Sequence, residues 1–367
     1  MSEYYDWNEA LSYDAKVTMV VGARGIGKTY GLRLQFIRDY FNKGWRFLEL
    51  TRYKNELPDF TGNYFQKIEQ NNEFPGYIFK TTTRFAYIAK KPEKEGDKPD
   101  WKMIGYFGSL SQAQAMKKWT FVKVRRILLD EAIIDKRIDQ FHNYLRNEHG
   151  ALANIVDTVS RENNKRKKDE SDEDFEKRMK EQVKPRVYLL GNACDLINPY
   201  FAAYGVNDIP QKGFTWHKRK TMILHYVEDS EYAKEKSENT VAGAMLADTL
   251  DELISSGNEF LTASDDFVMK KSKNAKFDFG LVYKNKKFGV WVDNREGYYY
   301  VNKQIPKNAN PVFALTASDN RINYIAARKA EAVLKGFTEL YYYGCLRYET
   351  PIIKEEFLEV LGLFGVR

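Results

Sequence analysis

The sequence predicts an α/β chain built around a parallel-rich sheet. Three observations predict it. Val17–Val21 is an unbroken run of apolar or β-branched residues, the composition of a strand covered on both faces. It runs straight into a glycine-rich stretch, Gly22-Ala23-Arg24-Gly25-Ile26-Gly27-Lys28-Thr29. A helical pattern follows, with Leu32, Leu34, Phe36 and Ile37 on one side and Arg33, Arg38 and Lys43 elsewhere; Gly44 closes it and a second strand begins at Arg46. Strand, turn, helix, strand is the βαβ unit of a parallel sheet.

The remaining elements follow in order. Residues 77–107 read as a β-hairpin insertion, with strands near Tyr77–Phe79 and Phe85–Ile88 and a charged tip from Lys90 to Lys102. Val124–Leu129 is the next strand and ends in Asp130-Glu131. Residues 137–164 read as helical. The charge run Lys165–Lys184 is an inserted, solvated segment; Phe175, Met179 and Val183 give its second half a helical stripe between Ser171 and Pro185. Arg186–Leu190 is another buried-type strand. Residues 229–258 turn polar and helical, with Ala242, Leu246, Leu250, Leu253 and Ile254 in one stripe. From about 263 a meander begins, with strands at 277–283, 288–292 and 297–301, then helices near 320–335 and 351–362. The expected division is 1–228, a helical linker at 229–262, and a C-terminal α+β domain at 263–367.

Composition narrows the function classes. With 367 residues the chain has room for two to three domains, and 43% hydrophobic residues supply their cores. Mean hydropathy is −0.59 and no run approaches 18 apolar residues, so no transmembrane helix is expected. The polar opening Met1–Asn8 gives no secretory signal. Cys194 and Cys345 alone exclude a disulfide scaffold and a cysteine-rich zinc site, and fit a reducing cytosol. Histidines 142, 149, 217 and 225 show no metal-ligand spacing. A net charge of +7 is compatible with a polyanionic partner.

Gly22-x4-Gly27-Lys28-Thr29 fits the phosphate-binding loop of P-loop NTPases. Its glycines let successive backbone N–H groups point at phosphate oxygens, and the helix behind adds its positive end. Residues Gly22 to Thr29 are therefore the expected ATP site: Lys28 reaches the β- and γ-phosphates and the Thr29 hydroxyl binds Mg²⁺. Asp130-Glu131, at the carboxyl end of a strand, is where α/β sheets bind ligands. Asp130 would hold Mg²⁺ and Glu131 would polarise the attacking water. Asn192, after the strand at 186–190, would sense the γ-phosphate; the plainer alternative is a turn asparagine. Asn192-Ala193-Cys194-Asp195 also has the outline of a guanine-reading motif, but Ala193 stands where that motif needs lysine.

Taken together, Leu11–Asp14, Val21–Tyr30, Arg52-Tyr-Lys-x-Glu-Leu57, Asp130-Glu131, Asp157-Thr-Val-x-Arg161, Asn192-Ala193, Asn198–Phe201, Ser272–Phe277 and Gly289–Asp293 form a string. In order and across nearly the whole chain, it resembles the DNA encapsidation (packaging) ATPases of small short-tailed phages of the Picovirinae type. The gaps fall at 90–102 and 165–184. The resemblance implies an additional-strand, catalytic-glutamate ATPase that uses ATP and Mg²⁺. It assembles as a homo-oligomeric ring, a pentamer, on the portal of a procapsid in the host cytoplasm and drives double-stranded DNA inward. It leaves the mature virion and needs no membrane; a packaging RNA stays open. The resemblance places the arginine finger, acting in trans, on Arg161. Lys117, with Lys118 an equal candidate, falls where the family carries a basic residue that acts across the subunit interface. Lys54 falls on a basic position that would touch DNA phosphate. Tyr13 or Asp14 would border the adenine. The C-terminal domain resembles a degenerate ribonuclease-H-like nuclease: Asp278 and Asp293 are its candidate acids, Asp319 and Glu331 further ones, and Lys270, Lys271, Lys273, Lys276, Lys284, Lys286 and Lys287 a basic rim for phosphate. The rival readings are a large terminase with a live nuclease and a nucleotide-regulated scaffold.

Overall fold

The computed structural model describes residues 4–94, 97–135, 143–164, 171–173, 184–206, 209–228, 235, 239–246, 252, 258, 260 and 266–366. It divides into two compact units, residues 1–205 with 210–259, and residues 206–209 with 260–367. No helix among the described residues is long and apolar enough to cross a membrane.

In the first unit, β1 (Val17–Val21), β2 (Arg46–Thr51), β3 (Tyr77–Thr81), β4 (Phe85–Lys90), β5 (Lys102–Ser109), β6 (Val124–Leu129), β7 (Arg186–Gly191), β8 (Gly213–His217) and β9 (Met222–Tyr226) form one sheet. Its order is β3-β4-β5-β2-β6-β7-β1-β9-β8. Strands β5, β2, β6, β7, β1 and β9 run parallel; β3, β4 and β8 join antiparallel. Strand β7 lies between the strand that leads into the glycine loop and the strand that ends in Asp130. This is the additional-strand arrangement, so the expected fold class of this unit holds.

Hydrophobic burial drives this order. Every residue of β1 is buried, and one core gathers Leu32, Phe36 and Ile37 of α2 (Lys28–Lys43) with Phe47, Phe107 and Tyr188 of the strands. The apolar stripe read from the sequence is therefore the face that α2 lays on the sheet. Gly44 ends α2 in the left-handed conformation (φ 65°), its N–H donating to the Tyr40 carbonyl at 2.9 Å.

The structure departs from the sequence reading in places. The end of the stretch read as a hairpin insertion, 77–107, belongs to the main sheet: Lys102–Ser109 is a core strand paired with both β2 and β4. Gly105 and Gly108 look like loop residues, yet they make room. A Cβ on Gly105 would lie 2.3 Å from the Phe47 ring. Of the stretch 137–164 expected to be helical, residues 137–142 lie outside the described residues, and the described helix runs from Glu148 to Asn164. Strands β8 and β9 had no counterpart in the reading. Phe175, Met179 and Val183, and Leu250, Leu253 and Ile254, lie outside the described residues; Val241–Leu246 is helical.

In the second unit, β10 (Lys276–Tyr283), β11 (Lys286–Asp293) and β12 (Tyr298–Asn302) form the expected meander. Strands β13 (Val312–Ala314), β14 (Ile325–Ala326) and β15 (Leu346–Tyr348) extend it to β14-β13-β10-β11-β12-β15. The helix read near 320–335 runs from Ala327 to Tyr342, and the second from Pro351 to Gly362. Phe279, Phe288, Phe337 and Phe357 fill the core between.

Candidate active site

The site grows from three neighbouring strand ends. The loop after β1 curls because Gly25 and Gly27 both take φ of 79°, a conformation glycine adopts without steric cost. Lys28, the first residue of α2, turns back over the loop. Its Nζ donates to the Gly22 carbonyl (2.9 Å), the Ala23 carbonyl (2.7 Å) and Asn192 Oδ1 (3.3 Å), which joins β1 to β7. On the other side the Thr29 hydroxyl donates to Asp130 Oδ2 at 2.8 Å, which joins α2 to β6. Glu131 follows with φ of 51°, a left-handed backbone that is strained for a residue bearing a Cβ. Its N–H donates to Asp130 Oδ1 at 3.0 Å and its side chain is exposed.

These residues line one cavity of about 940 Å³, with Arg24, Gly25, Gly27, Lys28, Thr29, Asp130, Glu131 and Asn192 on its wall. Gly22 contributes its carbonyl from beneath, while Ala23 and Ile26 are buried against Tyr5 and Val227 and anchor the loop. The first residues of the chain clasp the loop from outside: the Tyr5 N–H donates to the Ile26 carbonyl (2.8 Å) and the Trp7 indole N–H to the Lys28 carbonyl (2.9 Å). Arg24 pairs with Asp135 at 3.2 Å.

A buried network, unassigned from sequence, braces the acid end. Arg52, one residue past β2, donates to both carboxylate oxygens of Glu148 (2.9 and 3.1 Å) and to the carbonyls of Glu131 (3.0 Å) and Ala132 (3.2 Å). Glu148 also accepts from the Tyr200 hydroxyl (2.7 Å) and the Leu145 N–H (3.0 Å), so its charge is fully hydrogen-bonded. Nearby, Arg33 holds Glu49 at 2.6 Å. The sequence signal for Arg52 and Glu148 was slight: a cation at a strand end and an acid in a helix's first turn.

Charge and burial tune the groups. Burial lowers the Lys28 ammonium to about 8, against the opposing pull of Asp130. Partial burial, then the Asp130 charge, raises the Glu131 carboxyl. Below a pH of about 8 Lys28 is charged and can neutralise phosphate; above it the amine is neutral. Nucleotide affinity is therefore expected to fall as pH rises past 8, approaching about tenfold per unit. A titration of fluorescent-ATP binding between pH 7 and 10 checks this, and a flat profile would contradict it.

Other expected residues lie elsewhere. Arg161 is exposed on the Glu148–Asn164 helix, pairs with Asp157 at 3.1 Å, and does not line the cavity of its own chain. Lys54 and Lys117 are exposed and also off the cavity wall. Tyr13 packs on Phe214 and Trp216, and Asp14 pairs with Arg186 at 2.6 Å at the opposite strand ends, so neither borders the cavity; Tyr4 does. Asp195 is buried and accepts the Ile197 N–H at 2.7 Å, a turn role that leaves no guanine reader.

In the second unit, Asp293 accepts from Ser272 (2.5 Å) and from the Arg295 N–H (2.9 Å) of the following turn. Asp319 accepts the N–H groups of Lys284 and Asn285, both at 2.8 Å. Asp278 is exposed, and the Glu331 side chain lies outside the described residues. No group of three or more His, Cys, Asp or Glu gathers into a metal site among the described residues. The basic rim is also thinner than read: Lys284 pairs with Glu359 (2.7 Å) and Lys286 with Glu356 (3.4 Å).

Comparison with known proteins adds three findings. The family model described as podovirus DNA encapsidation protein (Gp16) matches residues 1–170 and 172–361. Two similar relatives are DNA packaging proteins of Bacillus phages. That of B103 is 32% identical over 348 residues, covering 94% of this chain and 96% of its own; that of phi29 is 30% identical over 355 residues, covering 96% and 95%. The chain also superposes on a chain of the bacteriophage Phi-29 viral genome packaging motor assembly with a TM-score of 0.69 and 28% identity, covering 99% of this chain and 100% of that one.

Proposed function

The chain belongs to the podovirus DNA encapsidation protein (Gp16) family, and from that premise we propose that it hydrolyses ATP to drive double-stranded DNA into a phage procapsid. The observation that carries this reading is the convergence of Lys28, Thr29, Asp130, Glu131 and Asn192 on one cavity. ATP is the substrate. The loop N–H groups and Lys28 hold its phosphates, and Asn192 reports on the γ-phosphate through its contact with Lys28.

The Thr29 hydroxyl and the Asp130 carboxylate, paired hard oxygen donors on the cavity wall, fit Mg²⁺ and would hold it. When bound, Mg²⁺ shields the negative charge of the phosphate oxygens. Glu131 orients a water and takes its proton; its raised carboxyl makes it the better base for that role. Arg161 is exposed and off its own cavity, which suits a residue that completes a neighbour's site. Lys117 would act across the same interface, and Lys54, following Arg52, would contact DNA phosphate.

The wider assignments follow the family. The chain would work as a ring, a pentamer, at the portal of a procapsid in the host cytoplasm, and be absent from the mature virion. The C-terminal unit would bind nucleic acid or portal and not cut. Asp293 and Asp319 are held by turn N–H groups, so their oxygens brace the strand ends that a nuclease would leave to metals.

The test is ATP turnover of the full chain, with and without duplex DNA, for wild type, Arg161→Ala and an equimolar mixture of Arg161→Ala with Glu131→Gln. The expected result is stimulation of wild type by DNA, and recovery in the mixture of activity that neither variant has alone. Turnover independent of DNA and of Arg161 would favour a nucleotide-ordered scaffold.

A further inference from the structure

The parallel sheet has two ends. One carries the cavity; the other gathers cations. Lys16 precedes β1 and its carbonyl accepts the Val187 N–H (3.0 Å), which sets it beside the start of β7. Lys123 precedes β6 and its carbonyl accepts the Arg46 N–H (2.8 Å) at the start of β2. The Thr221 carbonyl accepts the Val17 N–H (3.2 Å), so the β8–β9 turn, Lys218-Arg219-Lys220, arrives at the same end.

Among the described residues, two carboxylates form ion pairs at this end. Asp14 pairs with Arg186 at 2.6 Å, and Asp39 with Arg126 at 2.7 Å and Lys43 at 3.2 Å. Among the described residues no carboxylate forms an ion pair with Lys16, Arg46, Lys123, Lys218, Arg219 or Lys220. Five of these are exposed; Arg46 is half-buried and its Nε has no hydrogen-bond partner. Lys218 leans over the Tyr204 ring at 5.3 Å.

The turn is unusual in its backbone. Lys218, Arg219 and Lys220 take φ of 45°, 51° and 60°, three consecutive left-handed residues where asparagine or glycine would sit with less strain. Folding alone does not call for cations there. Strain held at an exposed, like-charged turn is the kind that marks a binding surface.

We propose that this end of the sheet is a second polyanion surface, opposite the nucleotide cavity, that grips the phosphodiester backbone of a nucleic-acid duplex. From β2 to β9 the row crosses four inter-strand spacings, about 19 Å at ~4.8 Å each. That spans about five to six base pairs along a duplex axis. Lysine and arginine on phosphate give affinity and register without reading bases, so the grip is independent of sequence. It is distinct from the contact proposed for Lys54, which follows the other end of β2.

The test measures binding of a short labelled DNA duplex, and of an RNA duplex of equal length, across a salt series. One variant carries Lys218→Asn, Arg219→Asn and Lys220→Gly, which keep the left-handed turn; a second carries Lys16→Ala and Lys123→Ala. The expected result for the turn variant is an affinity loss of about tenfold or more at low salt. The slope of log K against log salt should become shallower by up to about 0.9 per cation removed. ATP turnover without nucleic acid should be unchanged, because none of these residues lines the cavity. Loss on DNA alone, on RNA alone or on both supports the surface and names the duplex it takes. Unchanged affinity and slope in both variants would overturn it. So would altered sedimentation of assembled subunits with duplex binding intact, which would assign this face to subunit contacts.

Discussion

Replacing Glu131 with glutamine is expected to lower ATP turnover by about 10²–10⁴-fold while leaving nucleotide affinity within a few-fold of wild type. The substitution keeps the shape of the side chain and removes only its capacity to accept a proton. The Glu131 carboxyl is raised by partial burial and by the neighbouring Asp130 charge. The acid limb of the wild-type rate profile should therefore lie above the usual carboxylate range, with turnover falling as pH drops through it. That limb should vanish in the glutamine variant. Steady-state phosphate release across pH, paired with a binding isotherm for each protein, decides the matter. A variant that keeps a tenth or more of wild-type turnover would remove Glu131 from the chemistry.

Replacing Arg52 with alanine is expected to destabilise the first unit by about 3–5 kcal/mol, because it strands a buried charge on Glu148. Glu148 is 1% exposed and has no solvent to fall back on. The double variant Arg52→Met with Glu148→Leu should be less destabilised than Arg52→Ala, since the pair is removed together and replaced by apolar volume. Its turnover should stay low, because the carbonyls of Glu131 and Ala132 still lose the guanidinium that anchors them. Urea midpoints for the single and double variants, read beside their turnover, separate the two roles. Equal midpoints for wild type and Arg52→Ala would show that the pair contributes nothing.

Much of the site was legible because its chemistry is local in sequence. A phosphate loop needs glycines, a lysine and a hydroxyl within one turn of chain, and a strand's composition announces where Asp130 and Glu131 emerge. What was not legible depends on distance. Arg52 and Glu148 are 96 residues apart, and nothing in either neighbourhood says that they meet. The order of strands is likewise absent from hydrophobic periodicity; the pattern marks β7 as buried without saying that it lies between β1 and β6. The strand at Lys102–Ser109 was not separated from the hairpin insertion because nothing local says that it pairs with β2, and only the Phe47 ring explains Gly105. Asp293 and Asp319 show the converse hazard. A carboxylate that braces a turn and one that binds a metal occupy the same strand-end positions, and only hydrogen-bond partners tell them apart.

The backbone at Glu131 has a consequence for how this protein can be improved. At φ of 51° the residue sits where glycine would rest without steric conflict and a glutamate costs on the order of 1 kcal/mol. A design procedure that optimised thermal robustness alone would count this position among those to rewrite as glycine. The gain would come from the one carboxylate proposed to activate water. Robustness and turnover thus compete at a single torsion angle, so any hardened variant of this engine has to draw its added stability from elsewhere in the fold.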